Sequence, residues 1–396
     1  MKRVAVVSCY FKHNYGSMLQ AYATQKVLDK FEIENETIDI TGMSSEINKA
    51  KMIYFAKASL TSDIFIRKFG MLKNVVKKRF TKDDYSKLSQ IRDSKFDEFK
   101  SDVFRLSDKY SSKNELSKAC GKRYTDVLVG SDQLWLPANI AGDYYTLSFV
   151  PDNVNSIAYS TSFGMAELPK NSEKKATEFL NRIKHLSVRE ASGQAIVRKL
   201  TGRDIPIVCD PTLLFTGEEW MEIQQEEPLA KDKYILCYFL GKNMYPREFA
   251  KQLKEETGLK IIALAHIDEY VKEDDDYSDE TPFDIGPSEF LNLVRNAQYI
   301  CTDSFHCSVF SILYKKKFFA FRRYADKTKQ STNNRLDNLF NLLGIKGVIQ
   351  EGDMTAQDAI KNEVDFELAQ KNLDELRNAS YTYLKNSLED KESTDL

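Results

Sequence analysis

The stretch from residue 299 to residue 314 constrains the fold more than any other part of the chain. Its first residues, Tyr299 to Thr302, are apolar and β-prone, and the polar residues Asp303 and Ser304 follow at once. Apolar residues then recur at helical spacing from Val309 to Leu313. Since Ser, Thr and Asp cap helix N-termini, the stretch predicts a strand, a tight corner and a helix. Such a corner directs backbone N–H groups and the positive helix end at one point, which suits an anionic ligand.

His306 lies one turn inside this predicted helix and is one of only four histidines in the chain. Spacing alone leaves two interpretations open. The residue is either a structural histidine buried in a strand–helix unit or a functional group at the corner.

The same alternation of strands and helices recurs along the chain. The apolar run from Arg3 to Ser8 is typical of a parallel strand covered on both faces, and a helix is predicted from Met18 to Lys30. A second series of strands and helices begins at Lys233. The sequence therefore predicts an α/β protein with two doubly wound Rossmann-like domains that face a cleft. We expect the domains at residues 1–208 and 209–350, and a C-terminal helix within 351–396 that packs back near the domain junction.

Four other predicted strands end in polar or glycine-containing corners. Ligands of open α/β sheets bind at the carboxyl ends of the strands, so these corners supply candidate cleft residues. Asp132 is either a polar contact or a helix N-cap, and Arg189 is either a site residue or the partner of Glu190 in a surface ion pair. The candidates are Asn14, Tyr15, Gly16, Ser17, Gly130, Ser131, Asp132 and Arg189.

The composition excludes several classes of protein. The 57 Lys and Arg residues are balanced by 59 Asp and Glu residues, so nucleic acid is not an expected partner. The six cysteines are scattered without a C-x-x-C pair, which predicts reduced thiols rather than a disulfide or zinc framework. No run of about 18 apolar residues is present, and the first residues form a strand rather than a signal peptide. We therefore expect a cytoplasmic protein that needs no metal and no cofactor.

The segment from residue 44 to residue 80 is rich in Lys and Arg, with apolar residues interleaved. One interpretation is a basic amphipathic element that touches an anionic membrane from the cytoplasmic side. The interpretation that we favour is a helical insertion packed on its own domain.

Six motifs resemble, in their order and spacing, those of the polysaccharide pyruvyl transferases. No single motif is very specific, but together they run through most of the chain. The resemblance implies a fold similar to that of the B-type glycosyltransferases. The motifs are His13 to Ser17 with Leu19 to Ala23, Gly130 to Trp135, Ala158 to Gly164, Ser187 to Glu190, Asp210 to Leu214, and Thr302 to His306.

The resemblance also implies a reaction, the transfer of a pyruvyl group from phosphoenolpyruvate to a sugar, usually as a cyclic ketal across two hydroxyls. Phosphoenolpyruvate is then a co-substrate, and the acceptor is a free or lipid-linked sugar of a cell-surface or exopolysaccharide precursor. The first domain becomes the expected acceptor side and the second the donor side.

The donor carries a phosphate and a carboxylate, so cations and a helix N-terminus are expected around it. Several family members carry Arg two residues before the histidine, where this chain has Ser304. We expect Lys316 or Arg322 to supply the missing cation. The implied donor residues are Arg189, Thr302, Asp303, Ser304, Phe305, Lys316 and Arg322.

His306 becomes the implied catalytic residue. It acts either as a general base on a sugar hydroxyl and then as an acid, or as a charged phosphate ligand. The acceptor is expected near Asn14, Tyr15 and Asp132 across the cleft. Two other functions remain open, namely a glycosyltransferase that uses a nucleotide sugar and a non-catalytic sugar- or anion-binding protein.

Overall fold

In the computed structural model, residues 2–58, 83–267, 269–323, 334–350 and 354–390 are described. They contain two parallel sheets. The first sheet has the strand order β2-β1-β3-β4-β5. Its strands are β1 Arg3–Val7, β2 Glu34–Thr37, β3 Asp126–Val129, β4 Asn155–Thr161 and β5 His185–Val188.

The second sheet has the order β10-β9-β8-β6-β7. When the strands of each sheet are counted from its own first strand, both sheets have the order 2-1-3-4-5. Each therefore has a topological switch point between its first and third strands, which confirms the predicted pair of doubly wound units. The strands are β6 Tyr234–Tyr238, β7 Lys260–Leu264, β8 Tyr299–Thr302, β9 Phe318–Phe321 and β10 Ile349–Gln350.

Helices connect and cover the strands. The sequence pattern predicts a helix from Pro287 to Asn296, and the structure has it with these bounds. The pattern also predicts a strand from Glu36 to Ile40, which the structure places at Glu34–Thr37. The described helices are α1 Tyr15–Lys30, α2 Ser44–Ala58, α3 Asp83–Val103, α4 Lys113–Arg123, α5 Pro137–Gly142, α6 Lys170–Arg182, α7 Ala191–Thr201, α8 Met244–Thr257, α9 Pro287–Asn296, α10 Phe305–Leu313, α11 Asn334–Leu343, α12 Ala356–Lys361 and α13 Phe366–Leu388.

The strands at the two switch points are almost wholly buried, as continuous apolar runs in parallel sheets should be. Val4 to Val7 of β1 and Val127 to Val129 of β3 have no exposed surface, and Ile300 and Cys301 of β8 are equally inaccessible. Helices cover both faces of such sheets, so the open positions are the loops at the strand ends. The candidate site residues are therefore expected on these loops.

Helix α3 joins the two sheets along one side of the cleft. The Arg92 guanidinium donates to the carbonyl oxygens of Ala265 and His266, at 2.9 and 3.3 Å, just past β7. The Tyr85 hydroxyl donates to the carbonyl oxygens of His266 and Glu269. A helix that follows the first sheet's β2 in sequence therefore contacts the second sheet's loops, and it fixes one wall between them.

The C-terminal helix α13 contacts the first sheet. The Asp365 side chain caps it by accepting from the Leu368 N–H, a role for which Asp is a preferred residue. Near its end, Tyr383 donates to the Ala158 carbonyl oxygen of β4 at 3.1 Å. Ser380 accepts from the Cys209 N–H at 2.9 Å, beside the passage between the sheets. The domain boundaries at 208 and 350 stay predictions.

Only the first part of the basic segment, helix α2, falls within the described residues, and 59–82 lie outside them. Ile47 of α2 is buried, and the Lys51 side chain contacts Gly142 of α5. Met52 and Ile53 are exposed. This part of the segment packs on its own domain, and membrane contact stays a prediction. None of the helices in the described part of the chain is both long and apolar enough to cross a membrane.

Candidate active site

The two switch points face each other across a cleft of about 1210 Å³. The loops after β1 and β3 line it from the first sheet, and the loops after β6, β8 and β9 line it from the second. Doubly wound sheets bind ligands at the switch point. In this protein each of the two sheets contributes a switch point to the same cleft. Helix α3 closes one side.

The predicted corner before His306 forms the N-terminus of α10. The Ser304 hydroxyl caps the helix by accepting from the Cys307 N–H at 3.4 Å. The Thr302 hydroxyl accepts from the Ser304 N–H and donates to the Tyr238 carbonyl oxygen, which joins β8 to β6. Ser304, Phe305 and His306 line the cleft. The positive helix end therefore faces the cleft, as the sequence predicts.

Asp303 holds the second switch point together. Its two carboxylate oxygens accept the backbone N–H groups of Leu240 and Gly241, at 2.7 and 2.8 Å. Arg323 donates to its carbonyl oxygen at 3.1 Å. Because both oxygens are engaged, Asp303 fixes the loop after β6 rather than lining the cleft.

His306 is enclosed by groups from both sheets. Its Nε2 lies 3.5 Å from Oδ2 of Asp210, within ion-pair range but without a good hydrogen bond. Its ring packs on the backbone of Gly16, where an added Cβ would lie 2.0 Å from Nδ1. Gly16 is in the first turn of α1, so only a residue without a side chain allows this contact. The ring is 7% exposed.

A buried ionic network lies behind His306. Asp210 Oδ2 accepts from Nη1 of Arg189 and from the Ser131 hydroxyl, both at 2.7 Å. Nε of Arg189 lies 3.5 Å from Oε2 of Glu190. Burial favours a higher pKa for the Asp210 carboxyl, but the charges of His306 and Arg189 outweigh it and hold the pKa well below its usual range. Asp210 is therefore anionic and orients the groups around it.

Arginines from two different elements flank the ring of Phe305. The guanidinium of Arg189 lies 4.3 Å from the ring centroid and that of Arg335 lies 5.9 Å from it. Arg323, which follows β9, lines the cleft with Arg335. Burial, with the neighbouring charges of Arg189 and Arg323, lowers the pKa of Arg335 to about 10. Arginine side chains beside the positive N-terminus of α10 favour a bound anion.

Asp132 faces this cluster from the first switch point. Its backbone is left-handed at φ 80°, and its Oδ2 accepts from Ser17 Oγ at 2.8 Å and from Cys9 Sγ at 3.4 Å. Burial would raise the pKa of its carboxyl, yet the charges of Lys12, His306 and Arg189 lower it below its usual range. The first sheet thus presents an anionic acceptor of hydrogen bonds to the cleft.

His13 links the loop after β1 to helix α3. Its Nδ1 lies 2.9 Å from Oδ1 of Asp93, and its Nε2 lies 3.3 Å from Oδ1 of Asp97. Its ring stacks on Phe96 at 5.5 Å. His13 and Asp93 both line the cleft, so this contact positions α3 beside the first switch point.

The structure brings six of the candidate residues to the cleft surface and places others directly behind it. Asn14 lines the cleft and also caps α1 by accepting from the Ser17 N–H. Those at the surface are Asn14, Ser17, Asp132, Ser304, Phe305 and His306. Those behind it are Gly16, Ser131, Arg189, Thr302 and Asp303.

Two candidates occupy a different environment from the one expected. Tyr15 is buried between the sheets, where its ring stacks on Phe290 at 4.6 Å and its hydroxyl donates to the Ile285 carbonyl oxygen. Gly130 provides room for α1, since an added Cβ would lie 3.3 Å from Oγ1 of Thr24. Neither Tyr15 nor Gly130 lines the cleft.

Lys316 and Arg322, from which a donor-binding cation is expected, do not line the cleft. Lys316 follows α10, which returns the chain to the opposite edge of the sheet, and its pKa is lowered by burial and by Arg295. Arg322 pairs with Asp337 at 3.2 Å. The next residue, Arg323, lines the cleft. A change of one position at the end of β9 therefore decides which arginine faces the site.

Sequence reasoning missed several residues that contribute to the site. Asp210 and His13 each begin a motif that carries the family resemblance, but neither is among the residues that the sequence predicts for the site. No local pattern singles out Arg323, Arg335 or Lys12. Their importance comes from contacts across more than one element.

A family model described as Polysaccharide pyruvyl transferase matches residues 14–323. No curated protein matches the chain significantly.

Solved structures show the same architecture at low sequence identity. A putative UDP-N-acetylglucosamine 2-epimerase from Listeria monocytogenes is 12% identical with a TM-score of 0.53, covering 100% of this chain and 98% of that chain. The UDP-GlcNAc 2-epimerase of Methanocaldococcus jannaschii, in complex with UDP-GlcNAc and UDP, is 13% identical with a TM-score of 0.50, covering 96% and 100%. These similarities establish a fold like that of the B-type glycosyltransferases and carry no argument about activity.

Proposed function

The chain belongs to the polysaccharide pyruvyl transferase family, and on that basis we propose that it transfers a pyruvyl group from phosphoenolpyruvate to a sugar of a cell-surface or exopolysaccharide precursor. The product is a cyclic ketal across two sugar hydroxyls. The observation that carries the proposal is the group of arginines at the N-terminus of α10, immediately beside His306.

The arginines suit the two anionic groups of phosphoenolpyruvate. Arg323 and Arg335 line the cleft where the helix end is also positive, so a phosphate and a carboxylate both find cationic partners there. Arg189 lies one layer deeper and contributes charge while it holds Asp210. Arg323 and Arg335 replace the cation that the family resemblance places at Ser304.

His306 is the group that moves the proton in the first half of the reaction. As a neutral ring it takes the proton from the first sugar hydroxyl and delivers it to C3 of the donor, while the hydroxyl oxygen bonds to C2. The C2–O bond to phosphate then breaks, and its electron pair leaves with the phosphate. The second hydroxyl oxygen bonds to C2, and its proton leaves with the phosphate.

The residues around His306 support this role. Asp210 approaches Nε2, and Gly16 fixes the opposite edge of the ring, so the imidazole has one orientation. Asp132 and Ser17 face it from the first sheet. A carboxylate and a hydroxyl there offer hydrogen bonds to the hydroxyls of an acceptor sugar.

Release of phosphate tests the proposal. The protein is incubated with phosphoenolpyruvate and a panel of sugar acceptors in the absence of any nucleotide, and phosphate and ketal are both measured. We expect the two in equal amounts. Donor binding without turnover over the whole panel favours a binding protein, and activity that needs a nucleotide sugar favours a glycosyltransferase. In crystals soaked with phosphoenolpyruvate, phosphate density away from Ser304 and Arg323 overturns the site assignment.

A further inference from the structure

His13 lies at the first switch point, in the loop that joins β1 to α1. The residues of this loop that line the cleft are Phe11, Lys12, His13 and Asn14. The loop also sets the start of α1, because the Asn14 side chain accepts from the Ser17 N–H at 3.1 Å. Gly16, on which the His306 ring packs, lies in that first turn. The position of the loop therefore determines where Gly16 and Ser17 meet the site.

Both ring nitrogens of His13 face carboxylates of α3. Nδ1 lies 2.9 Å from Oδ1 of Asp93, and Nε2 lies 3.3 Å from Oδ1 of Asp97. An ionised carboxylate can only accept hydrogen bonds, and a neutral imidazole donates from one of its two nitrogens. Both contacts are therefore hydrogen bonds at the same time only when the ring is an imidazolium. A neutral ring turns a lone pair toward one of the two carboxylates.

The charged groups around the loop come from several elements. Asp93 and Asp97 are the groups bonded to the His13 ring within the described part of the chain. A hydrogen bond from Lys100, followed by one from His13, lowers the pKa of the Asp97 carboxyl. Asp97 therefore stays anionic over the whole range in which an imidazole titrates. The other titratable groups at the loop are Lys12 of the loop itself, Asp132 after β3 and His306 of α10.

Helix α3 is the fixed partner in this contact. Phe96 of α3 is fully buried, and its ring stacks on that of His13 with centroids 5.5 Å apart. Arg92 donates to the carbonyl oxygens of Ala265 and Ile267, past β7. A buried ring and an arginine bound to carbonyl groups keep their contacts whatever the charge of an imidazole. Loss of the His13 ion pairs therefore leaves α3 in place and frees the loop.

We propose that His13 is a positioning residue of the site and that it acts in its protonated form. As an imidazolium it binds Asp93 and Asp97 together and so holds the loop between β1 and α1 on α3. As the pH rises through the range of about 5 to 8 in which imidazoles titrate, one of the two contacts is lost. The loop then loosens, and with it the backbone of Gly16 beside His306. The contribution of His13 is thus present in acid and lost in alkali.

Hydrogen exchange of the loop amides measures this contact without any substrate. The full chain is labelled between about pH 5.5 and about pH 8.5, on either side of the imidazole range. Protection of residues 10–17 is corrected for the intrinsic change of the exchange rate with pH. The side chains of Asp93 and Asp97 are 48% and 54% exposed. Since ion pairs this exposed are weak, we expect protection in the wild type to fall about two- to fivefold over this range.

Two substitutions at His13 separate its charge from its bulk. His13→Arg carries N–H donors and a charge that persists at every pH in the range. Protection of the loop should therefore stay near the wild-type level in acid throughout. His13→Gln has no charge, and protection should be low at every pH. A fall in His13→Arg as large as that in the wild type would mean that another group titrates, such as His306 beside Gly16, and would overturn the proposal.

A substitution on α3 tests the same contact from the other side. The amide of Asp97→Asn can donate to a neutral ring or accept from a charged one, so the fall in protection with pH should become smaller. The matched control is Asp102→Asn, which changes an exposed carboxylate near the end of the same helix and should keep the wild-type dependence. Wild-type protection that does not change with pH, or an Asp97→Asn variant that behaves like the control, contradicts the proposal.

A kinetic comparison extends the test and rests on the proposed function. In the phosphate-release assay, kcat/KM of His13→Arg relative to the wild type should rise about two- to fivefold between the acid and the alkaline end of the range. The ratio removes the titration of His306, which both proteins share. A constant ratio overturns the positioning role. If no acceptor leads to phosphate release, the proposed function fails, and the exchange experiment still decides the role of His13.

Discussion

The two switch points have the same topology and are tied together in the same way, but they expose different chemistry. In each switch point, an Asp just after the third strand binds the segment that follows the first strand. Asp132 does so through the side chains of Ser17 and Cys9, whereas Asp303 binds the backbone N–H groups of Leu240 and Gly241. Asp132 consequently stays at the cleft surface as an anion. The Asp303 carboxylate lies behind the cleft surface.

Under the proposed function, this difference assigns the donor to the second sheet and the acceptor to the first. In the second switch point the Asp303 carboxylate is bound to backbone N–H groups. The groups that face the cleft there are a helix N-terminus, His306 and two arginines, all suited to an anionic donor. The first presents a carboxylate, a hydroxyl and the α3 wall, which suit a neutral, hydroxyl-rich acceptor. One backbone arrangement would then serve two kinds of ligand because different atoms hold it together at each switch point. The following variants test this division, from the largest expected effect to the smallest.

Replacement of His306 should have the largest effect on catalysis. Without a group that moves the proton, kcat for ketal formation should fall about 10²- to 10⁴-fold in His306→Asn, while binding of phosphoenolpyruvate persists. The matched control is His185→Asn, whose ring pairs with Asp390 at 3.0 Å and lies outside the cleft. Pre-steady-state phosphate release measures the step. Unchanged turnover in His306→Asn would remove the reaction from the second switch point.

Asp210→Asn should have the largest effect on stability. Loss of the buried carboxylate leaves Arg189 without its main partner, which costs about 3–5 kcal/mol in the free energy of unfolding. Urea denaturation measures the difference. The control Asp152→Asn changes a fully exposed partner of Arg182 and should leave the midpoint unchanged.

The effect of Asp210→Asn should depend on pH with a defined sign. The pKa of Asp210 is lower in the folded protein than its usual value, so its contribution is present above the unfolded pKa of about 4 and is lost as the pH falls further. The difference between wild type and variant should therefore be constant near neutrality and shrink in acid. A difference that grows below pH 4 would contradict the assigned ion pair.

Arg323→Ala and Arg322→Ala are neighbouring changes with different expected outcomes. Loss of a charge-assisted contact of about 1.5–3 kcal/mol should weaken binding of phosphoenolpyruvate about 10- to 150-fold in Arg323→Ala. In Arg322→Ala, whose side chain pairs with Asp337 instead, the dissociation constant should stay within about twofold. Calorimetric titration with phosphoenolpyruvate measures both. Equal effects would mean that the end of β9 does not separate the two arginines.

A methyl group at Gly16 tests the contact between the two sheets. In Gly16→Ala the Cβ would collide with the His306 ring, and such overpacking costs about 1–3 kcal/mol. Gly121→Ala, in the last turn of α4, meets only ordinary contacts at 3.6 Å or more, and it should stabilise the protein by up to about 0.5–1 kcal/mol. Thermal unfolding measures whether each variant is less or more stable than the wild type. Two stabilising changes would show that His306 does not rest on Gly16.

Much of the fold could be predicted from local patterns. The strand β8, the corner at Ser304 and the helix α10 follow from apolar runs and capping residues, and the helix over Pro287–Asn296 has its predicted bounds. The predicted start of β2 was two residues too late in the chain. This strand lies at the sheet edge, where Glu34 is exposed and the apolar pattern is weak. Prediction succeeded where burial on both faces makes the signal strong.

The site could be predicted only in part. Six candidates line the cleft because each follows a strand end, which is a local property. Lys316 and Arg322 do not line the cleft, because the orientation of side chains at the ends of α10 and β9 depends on packing. Asp210 and Arg335 were missed because their partners, such as Arg189 and His306, lie far away in sequence.

The sequence by itself determined the alternation of buried strands and helices, and it determined that polar corners follow the strands. Only the tertiary structure decided which corners meet, because the strand order β2-β1-β3-β4-β5 and its repetition in the second sheet bring residues from opposite halves of the chain together. It also placed His306 of one sheet against Gly16 of the other, and Asp210 between Arg189 and Ser131. Charges and close contacts of this kind depend on distances in space, which no local pattern of residues records.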